Sequence, residues 1–129
     1  MWRHRCISMG AFDSGDTFDY SAALGRALDA NVSVLLFYGK NDLACNYVGA
    51  YAVATSLPWS GATAFASSPL LPLASGNALG ASGEQQRYRP ANMTAGGLSW
   101  VQIAASGHMA PLDEPPATAA ALATLLAEI

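Results

Sequence analysis

Few side chains in this sequence could move a proton at neutral pH, and two of them occupy loops directly after apolar segments. Asp42 lies in Gly39-Lys-Asn-Asp42-Leu-Ala-Cys45-Asn46, directly after Val32–Tyr38. His108 lies in Ser106-Gly-His108-Met-Ala-Pro-Leu-Asp113-Glu-Pro115, directly after Leu98–Ala104. Imidazole titrates closest to neutrality, which suits it to general base and general acid work. A carboxylate held against the ring fixes its tautomer and stabilises the imidazolium, without itself being protonated. Each residue also has an ordinary reading. Taken alone, Asp42 reads first as the N-cap of the next helix. A lone loop histidine is commonly just an exposed or structural residue. Here Gly107 permits a tight turn, and Pro111 with Pro115 stiffens the segment after the histidine, which favours a deliberately positioned ring.

An acid and then a histidine, each ending a strand, form the last two members of a Ser…Asp…His order. The first member requires a serine in a Gly-x-Ser-x-Gly elbow. Ser82 (Gly80-Ala-Ser82-Gly-Glu84) and Ser99 (Gly97-Leu-Ser99-Trp-Val101) have only the leading glycine, and Ser8 (Cys6-Ile-Ser8-Met-Gly10) only the trailing one. No serine among the 129 residues has the full elbow, so a nucleophile is not expected from this chain.

The elements that must position Asp42 and His108 can be read from apolar periodicity. A helix is expected over Tyr20–Ala30, with Tyr20, Leu24, Ala27 and Leu28 at helical spacing. Val32–Tyr38 is a short, almost continuous apolar run, the pattern of a strand covered on both faces. Asn46–Ser56 reads as a helix, broken by Leu57-Pro-Trp59-Ser-Gly61, and Ala62–Ser67 as one or two further turns. Segment 68–97 reads as a long loop region, with Ser68–Gly83 rich in Pro, Gly, Ser and Ala and Arg87–Thr94 polar and ambiguous. Leu98–Ala104 is a second strand. Pro116–Ile129 is a helix whose stripe Leu122, Leu125, Leu126, Ile129 is expected to face the core. Met1–Asp19 has no period and reads as irregular.

This order is an α/β pattern. Two strands make too small a sheet to cover Val32–Tyr38. The expectation is therefore one incomplete α/β domain over 1–129, a mostly parallel sheet with packed helices whose remaining strands lie elsewhere. Composition sets further bounds. At 52% hydrophobic and 12% charged the chain is too apolar for general disorder. A net charge of −3 gives no reason to expect nucleic acid or an anionic membrane as partner. No apolar run reaches the ~18 residues of a membrane span, and the N-terminus lacks a signal-peptide pattern. Two histidines and two cysteines, Cys6 and Cys45, argue against a metal site, and no cofactor motif is present.

Three segments together resemble the serine carboxypeptidases of the α/β-hydrolase superfamily, over about Phe12 to Ile129. They are Val34-Leu-Leu-Phe-Tyr-Gly39-Lys-Asn-Asp42-Leu-Ala-Cys45-Asn46, Leu57-Pro-Trp59-Ser-Gly61 and Gly107-His108-Met109-Ala-Pro111-Leu-Asp113-Glu-Pro115. The resemblance implies the C-terminal part of that fold and removal of single residues from peptide C-termini through an acyl-enzyme. Asp42 would then be the triad acid and His108 the base. Cys45 and Met109 would lie beside the substrate, and Trp59 would pack rather than react. A serine elbow, oxyanion glycines and a carboxylate-gripping pocket would belong to an N-terminal half, a required partner alongside peptide C-termini. Departures are Lys40, where the family usually has an acidic residue, and Ala110 in place of Val. Cys6 would be separated from the cysteine it pairs with in relatives, and Cys6 and Cys45 are not expected to bond to each other. The resemblance also implies secretory, vacuolar, lysosomal or extracellular routing, with which the sequons at Asn31 (Asn31-Val-Ser33) and Asn92 (Asn92-Met-Thr94) agree. Two other readings stay open: an acyltransferase of the same family, and an inactive truncated or interaction fragment.

Overall fold

Asn31 takes the chain from its first helix into its first strand. In the computed structural model, which describes residues 19–73, 83–92 and 94–127, helix α1 (Ser21–Asp29) ends just before Asn31, whose φ is +64°. Asparagine tolerates that left-handed conformation better than most residues. Strand β1 (Val34–Gly39) comes next, then α2 (Tyr47–Ser56), α3 (Ala62–Ser67), β2 (Leu71–Pro72), β3 (Gly83–Tyr88), β4 (Leu98–Ile103), α4 (Ala110–Asp113) and α5 (Pro115–Leu126). The strands form one sheet in the order β1-β4-β3-β2. Pairing of β1 with β4 is parallel, in register Val34↔Leu98 to Gly39↔Ile103. The other two pairings are antiparallel.

The described sheet is therefore mixed rather than mostly parallel, and it has four strands rather than two. Strand β3 lies inside 68–97, the segment expected to be a long loop. Its sequence, Gly-Glu-Gln-Gln-Arg-Tyr, has no apolar alternation to betray it. It is held instead by polar satisfaction. The buried Gln86 accepts from Tyr51 Oη at 2.6 Å and donates through Nε2 to the carbonyls of Phe65 (2.6 Å) and Ser68 (2.9 Å). A buried amide with its bonds made costs little, so a polar strand can sit beside the core.

Alternation along β1 and β4 divides the apolar residues between two layers. On one face Val34, Leu36 and Tyr38 of β1 and Leu98 and Trp100 of β4 pack with Leu28, Ala54, Leu57 and Phe65 from α1 to α3. Trp100 stacks on Tyr38, with ring centroids 5.2 Å apart. On the other face Leu35, Phe37, Val101 and Ile103 meet Ala110, Ala117 and Ala121 of α4 and α5. Trp59, taken as a packing residue, is buried against Tyr88. Gly61 leaves room for its indole: a Cβ at position 61 would lie 2.3 Å from the Trp59 ring.

Helix α5 turns a different side to the sheet than its leucines suggest. Ala117, Thr118 and Ala121 are buried, whereas Leu122 and Leu126 are exposed; Ile129 lies outside the described residues. Small side chains let the helix approach the large residues of β1 and β4 closely, and spacing alone does not distinguish an alanine stripe from a leucine stripe. The Met1–Asp19 segment and Cys6 also lie outside the described residues, apart from Asp19 itself.

Candidate active site

The two strands that carry Asp42 and His108 are neighbours and parallel, so both loops leave the same end of the sheet. The loops stay zipped beyond the strands. Lys40 N–H donates to the Ile103 carbonyl and Asn41 N–H to the Ser106 carbonyl, each at 2.9 Å. The approach is close enough to need glycine at position 39, where a Cβ would fall 2.3 Å from the Gly107 carbonyl oxygen and 2.4 Å from that of Ser106. On the His108 side, Ala105 adopts φ +57° and Gly107 N–H donates to Asp113 Oδ2 at 2.8 Å. Asp113 thereby ties the start of the loop to α4.

This arrangement puts His108 Nδ1 2.9 Å from Asp42 Oδ2. The other carboxylate oxygen of Asp42 accepts backbone N–H bonds from Ala44 (2.8 Å) and Cys45 (2.9 Å). Asp42 is therefore not the cap of α2. Asn46 has that role, its Oδ1 accepting from Gly49 N–H at 2.9 Å. Burial is the largest single influence on the Asp42 carboxyl and pushes its pKa up. The bonds from Cys45, His108 and Ala44 and the attraction of the imidazole together outweigh it, and the net result is a pKa below the ordinary aspartate value. Asp42 is ionised at neutral pH and can only accept, so Nδ1 is the donor in their hydrogen bond and Nε2 is the ring nitrogen left for another partner.

Exposure separates the two partners. The Asp42 side chain is 6% exposed and that of His108 66%. The carboxylate is thus fixed and dry while the ring faces outward, its far nitrogen accessible to a group arriving from outside the described residues. Leu43, Met109 and Leu112, from the segments that follow the two strands, are exposed as well. Met109 sits at the N-cap of α4, and Cys45 is half-buried and outside any disulfide among the described residues. Among the described residues no serine hydroxyl is hydrogen-bonded to His108; Ser106, the nearest in sequence, is buried and directs its Oγ to the Gly107 carbonyl. Asn31 and Asn92 are both exposed, and Asn92 Oδ1 accepts from the Thr94 hydroxyl at 2.8 Å.

Two features were not read from the sequence. The first is a polar link across the sheet at its active end: Lys40 Nζ lies 3.0 Å from Glu84 Oε2 on β3, which also accepts from Gln102 on β4. Bonds from Lys40 and Gln102 lower the Glu84 pKa against a smaller opposing effect of burial. Lys40 thus has an acidic partner two strands away. The second is that Asp42, Cys45 and His108 hold metal-ligating atoms all within 4.8 Å of one another, a grouping that counting histidines and cysteines did not suggest. A shallow recess of about 360 Å³ lined by Leu71, Gln85, Arg87 and Arg89 lies at the Tyr88 end of β3, the far end of the sheet from His108.

Comparison with known proteins bears directly on this site. The family model described as serine carboxypeptidase matches residues 5–128, which takes in both loops. The chain belongs to the serine carboxypeptidase family. It is 35% identical over 92 residues to a pheromone-processing carboxypeptidase of Clavispora lusitaniae, covering 70% of this chain and 13% of the relative. It is 30% identical over 88 residues to carboxypeptidase Y of Candida albicans, covering 68% and 15% respectively. A serine carboxypeptidase-like protein of Oryza sativa subsp. japonica is 33% identical over 88 residues, covering 68% and 18%. The chain spans less than a fifth of the length of these curated relatives. No helix among the described residues is long and apolar enough to cross a membrane.

Proposed function

We propose that this carboxypeptidase-family chain supplies the acid and the general base of a serine-type carboxypeptidase within an α/β-hydrolase fold, and that the nucleophilic serine comes from residues outside these 129. The observation that carries the reading is the 2.9 Å contact between His108 Nδ1 and a buried, ionised Asp42 at the ends of adjacent parallel strands. In the reaction, His108 Nε2 takes the proton of the serine hydroxyl as it attacks the peptide carbonyl. Asp42 holds the ring in the Nδ1–H tautomer and stabilises the imidazolium. The same ring then gives its proton to the leaving amino acid, and the acyl-enzyme is hydrolysed by water activated in the same way. Met109 and Cys45 flank the ring on the substrate side.

Peptide C-termini are the substrate class and secretory routing the location that go with this reading. An acyltransferase of the same family would use the same pair, and nothing in these 129 residues discriminates between the two. The test is labelling with a fluorophosphonate probe. The 129-residue chain alone should take up no label on any serine. A longer product of the same gene carrying an upstream Gly-x-Ser-x-Gly should label at that serine, and His108→Ala should abolish the reaction. Stoichiometric, His108-dependent labelling of the 129-residue chain itself would overturn the proposal.

A further inference from the structure

We infer that Asp42, Cys45 and His108 form a binding site for a thiophilic divalent cation, with Zn²⁺ the natural occupant, and that its occupation shuts off the acid–base pair. The residues offer one carboxylate oxygen, one thiolate sulfur and one ring nitrogen, all within 4.8 Å of one another. This mixed O, S, N set is the set zinc takes in proteins, with a water or outside ligand completing the tetrahedron. A thiolate in the set disfavours Mg²⁺ and Ca²⁺, which take oxygen ligands.

Geometry requires a modest closing movement between the widest-spaced ligands and, for ligation through Nδ1, a small opening of the 2.9 Å contact between Asp42 and His108. Ligands bound at ~2.0–2.3 Å to a tetrahedral ion sit roughly 3.5 Å apart, about 1 Å nearer than the widest separation here. The three residues are unequally free to make that movement. Asp42 is anchored by the Ala44 and Cys45 N–H groups, which hold Oδ1 and so orient the carboxylate for a ligand on its other oxygen. His108 is largely exposed and its ring can swing. Cys45 stands three residues from Asp42 in the same turn, so it moves with its anchor. On binding, the thiol gives up its proton to solvent, and the site tightens as pH rises. The consequence for proton transfer is the same whichever ring nitrogen ligates. Coordination through Nε2 removes the lone pair that would accept a proton, and coordination through Nδ1 moves its proton to Nε2, which then has no lone pair to offer, and replaces the hydrogen bond to Asp42.

Cobalt(II) is a suitable probe, because thiolate ligation gives a near-ultraviolet charge-transfer band and tetrahedral geometry gives visible d–d bands. These readouts report on the site without any catalytic activity, so their failure is distinguishable from failure of the proposed function. Titration of the purified, reduced 129-residue chain should reach one ion per chain with both signals, and Zn²⁺ should displace the cobalt. Cys45→Ser should remove the charge-transfer band, and His108→Gln should weaken binding at least about tenfold. His108→Gln alters an exposed side chain, so it tests the site even if Cys45→Ser fails to fold. Absence of 1:1 binding, or a signal unchanged in His108→Gln, would overturn the inference.

Discussion

Gly39→Ala should unlock the site, and the structure says by how much. A Cβ at position 39 points at the carbonyl oxygens of Gly107 (2.3 Å) and Ser106 (2.4 Å). Both are backbone atoms, so no rotamer change can relieve the contact. Reaching ordinary contact at 3.4 Å moves the two loops apart by about 1 Å. The Asn41–Ser106 bond at 2.9 Å and the Asp42–His108 bond at 2.9 Å lie directly beyond and cannot both survive such a shift. Overpacking of this kind costs roughly 1–3 kcal/mol. Restricting the unfolded chain returns about 0.4–1 kcal/mol. The Asp42–His108 pair adds less than about 1 kcal/mol, because the imidazole is largely exposed. The net expectation is a loss of about 2 kcal/mol in urea denaturation, together with loss of the single Nδ1–H tautomer in the His108 side-chain NMR spectrum. Gly107→Ala is the control. A Cβ there meets only Asp113 Oδ2, at an ordinary 3.5 Å, so the change should be neutral or stabilising by up to about 1 kcal/mol. Equal destabilisation by the two variants, or a Gly39→Ala protein with unchanged stability and tautomer, would refute the close-approach argument.

Acid stability and the packing of α5 give two further expected outcomes. Asp42 and Glu84 both have pKa values lowered in the folded state, so their contribution to stability is complete above the unfolded values near about 4. That contribution is lost as pH falls through the lowered folded values. The thermal midpoint should therefore drop on acidification below about pH 4, and Asp42→Asn combined with Glu84→Gln should flatten the drop. On α5, Ala121→Leu forces three more carbons into the contact with Leu35, Phe37, Val101 and Ile103 and should cost about 1–3 kcal/mol. Leu122→Glu changes an exposed position and should stay within about 0.5 kcal/mol in the 129-residue chain. The reverse ranking in denaturation curves would show that the leucine face is the one against the sheet.

What could be read from the sequence was whatever apolar patterning and loop chemistry encode. Helix α1, strand β1, helices α2 and α3 and strand β4 all lie within a residue or two of their expected bounds. Asp42 and His108 fall in the loops after β1 and β4 because buried apolar strands announce themselves and polar loops come after them. Strand β3 escaped because its burial runs through Gln86 amide bonds, which leave no period in the sequence. The α5 orientation escaped because alanine and leucine count alike in a periodicity argument. Asp42 could be read locally as a cap until the fold gave Asn46 that duty. Local chemistry predicts a hydrogen-bond acceptor; only tertiary structure says which donor it serves.

The distribution of apolar surface ties stability to the proposed chemistry. Helices α2 and α5 contain no charged residue, yet each presents exposed apolar side chains, Val48 on one and Leu122 and Leu126 on the other. A helix apolar around its whole circumference is one that proteins bury on every side. The two flank the sheet on opposite faces. Between them β1 pairs with β4 alone among the described residues, and its Val34–Tyr38 side chains are half-buried where those of β4 are buried throughout. Asp42 stands at the end of that same strand, and His108 projects its exposed ring beside it. Under the proposed function, the part of the protein that brings the serine to His108 Nε2 must approach from where the ring is open. Covering β1, α2 and α5 at the same time would gain roughly 25 cal/mol for each Å² of apolar surface removed from water. The surface that completes the fold and the surface that completes the triad would then be the same one, and a change that weakens that docking should lower stability and activity together.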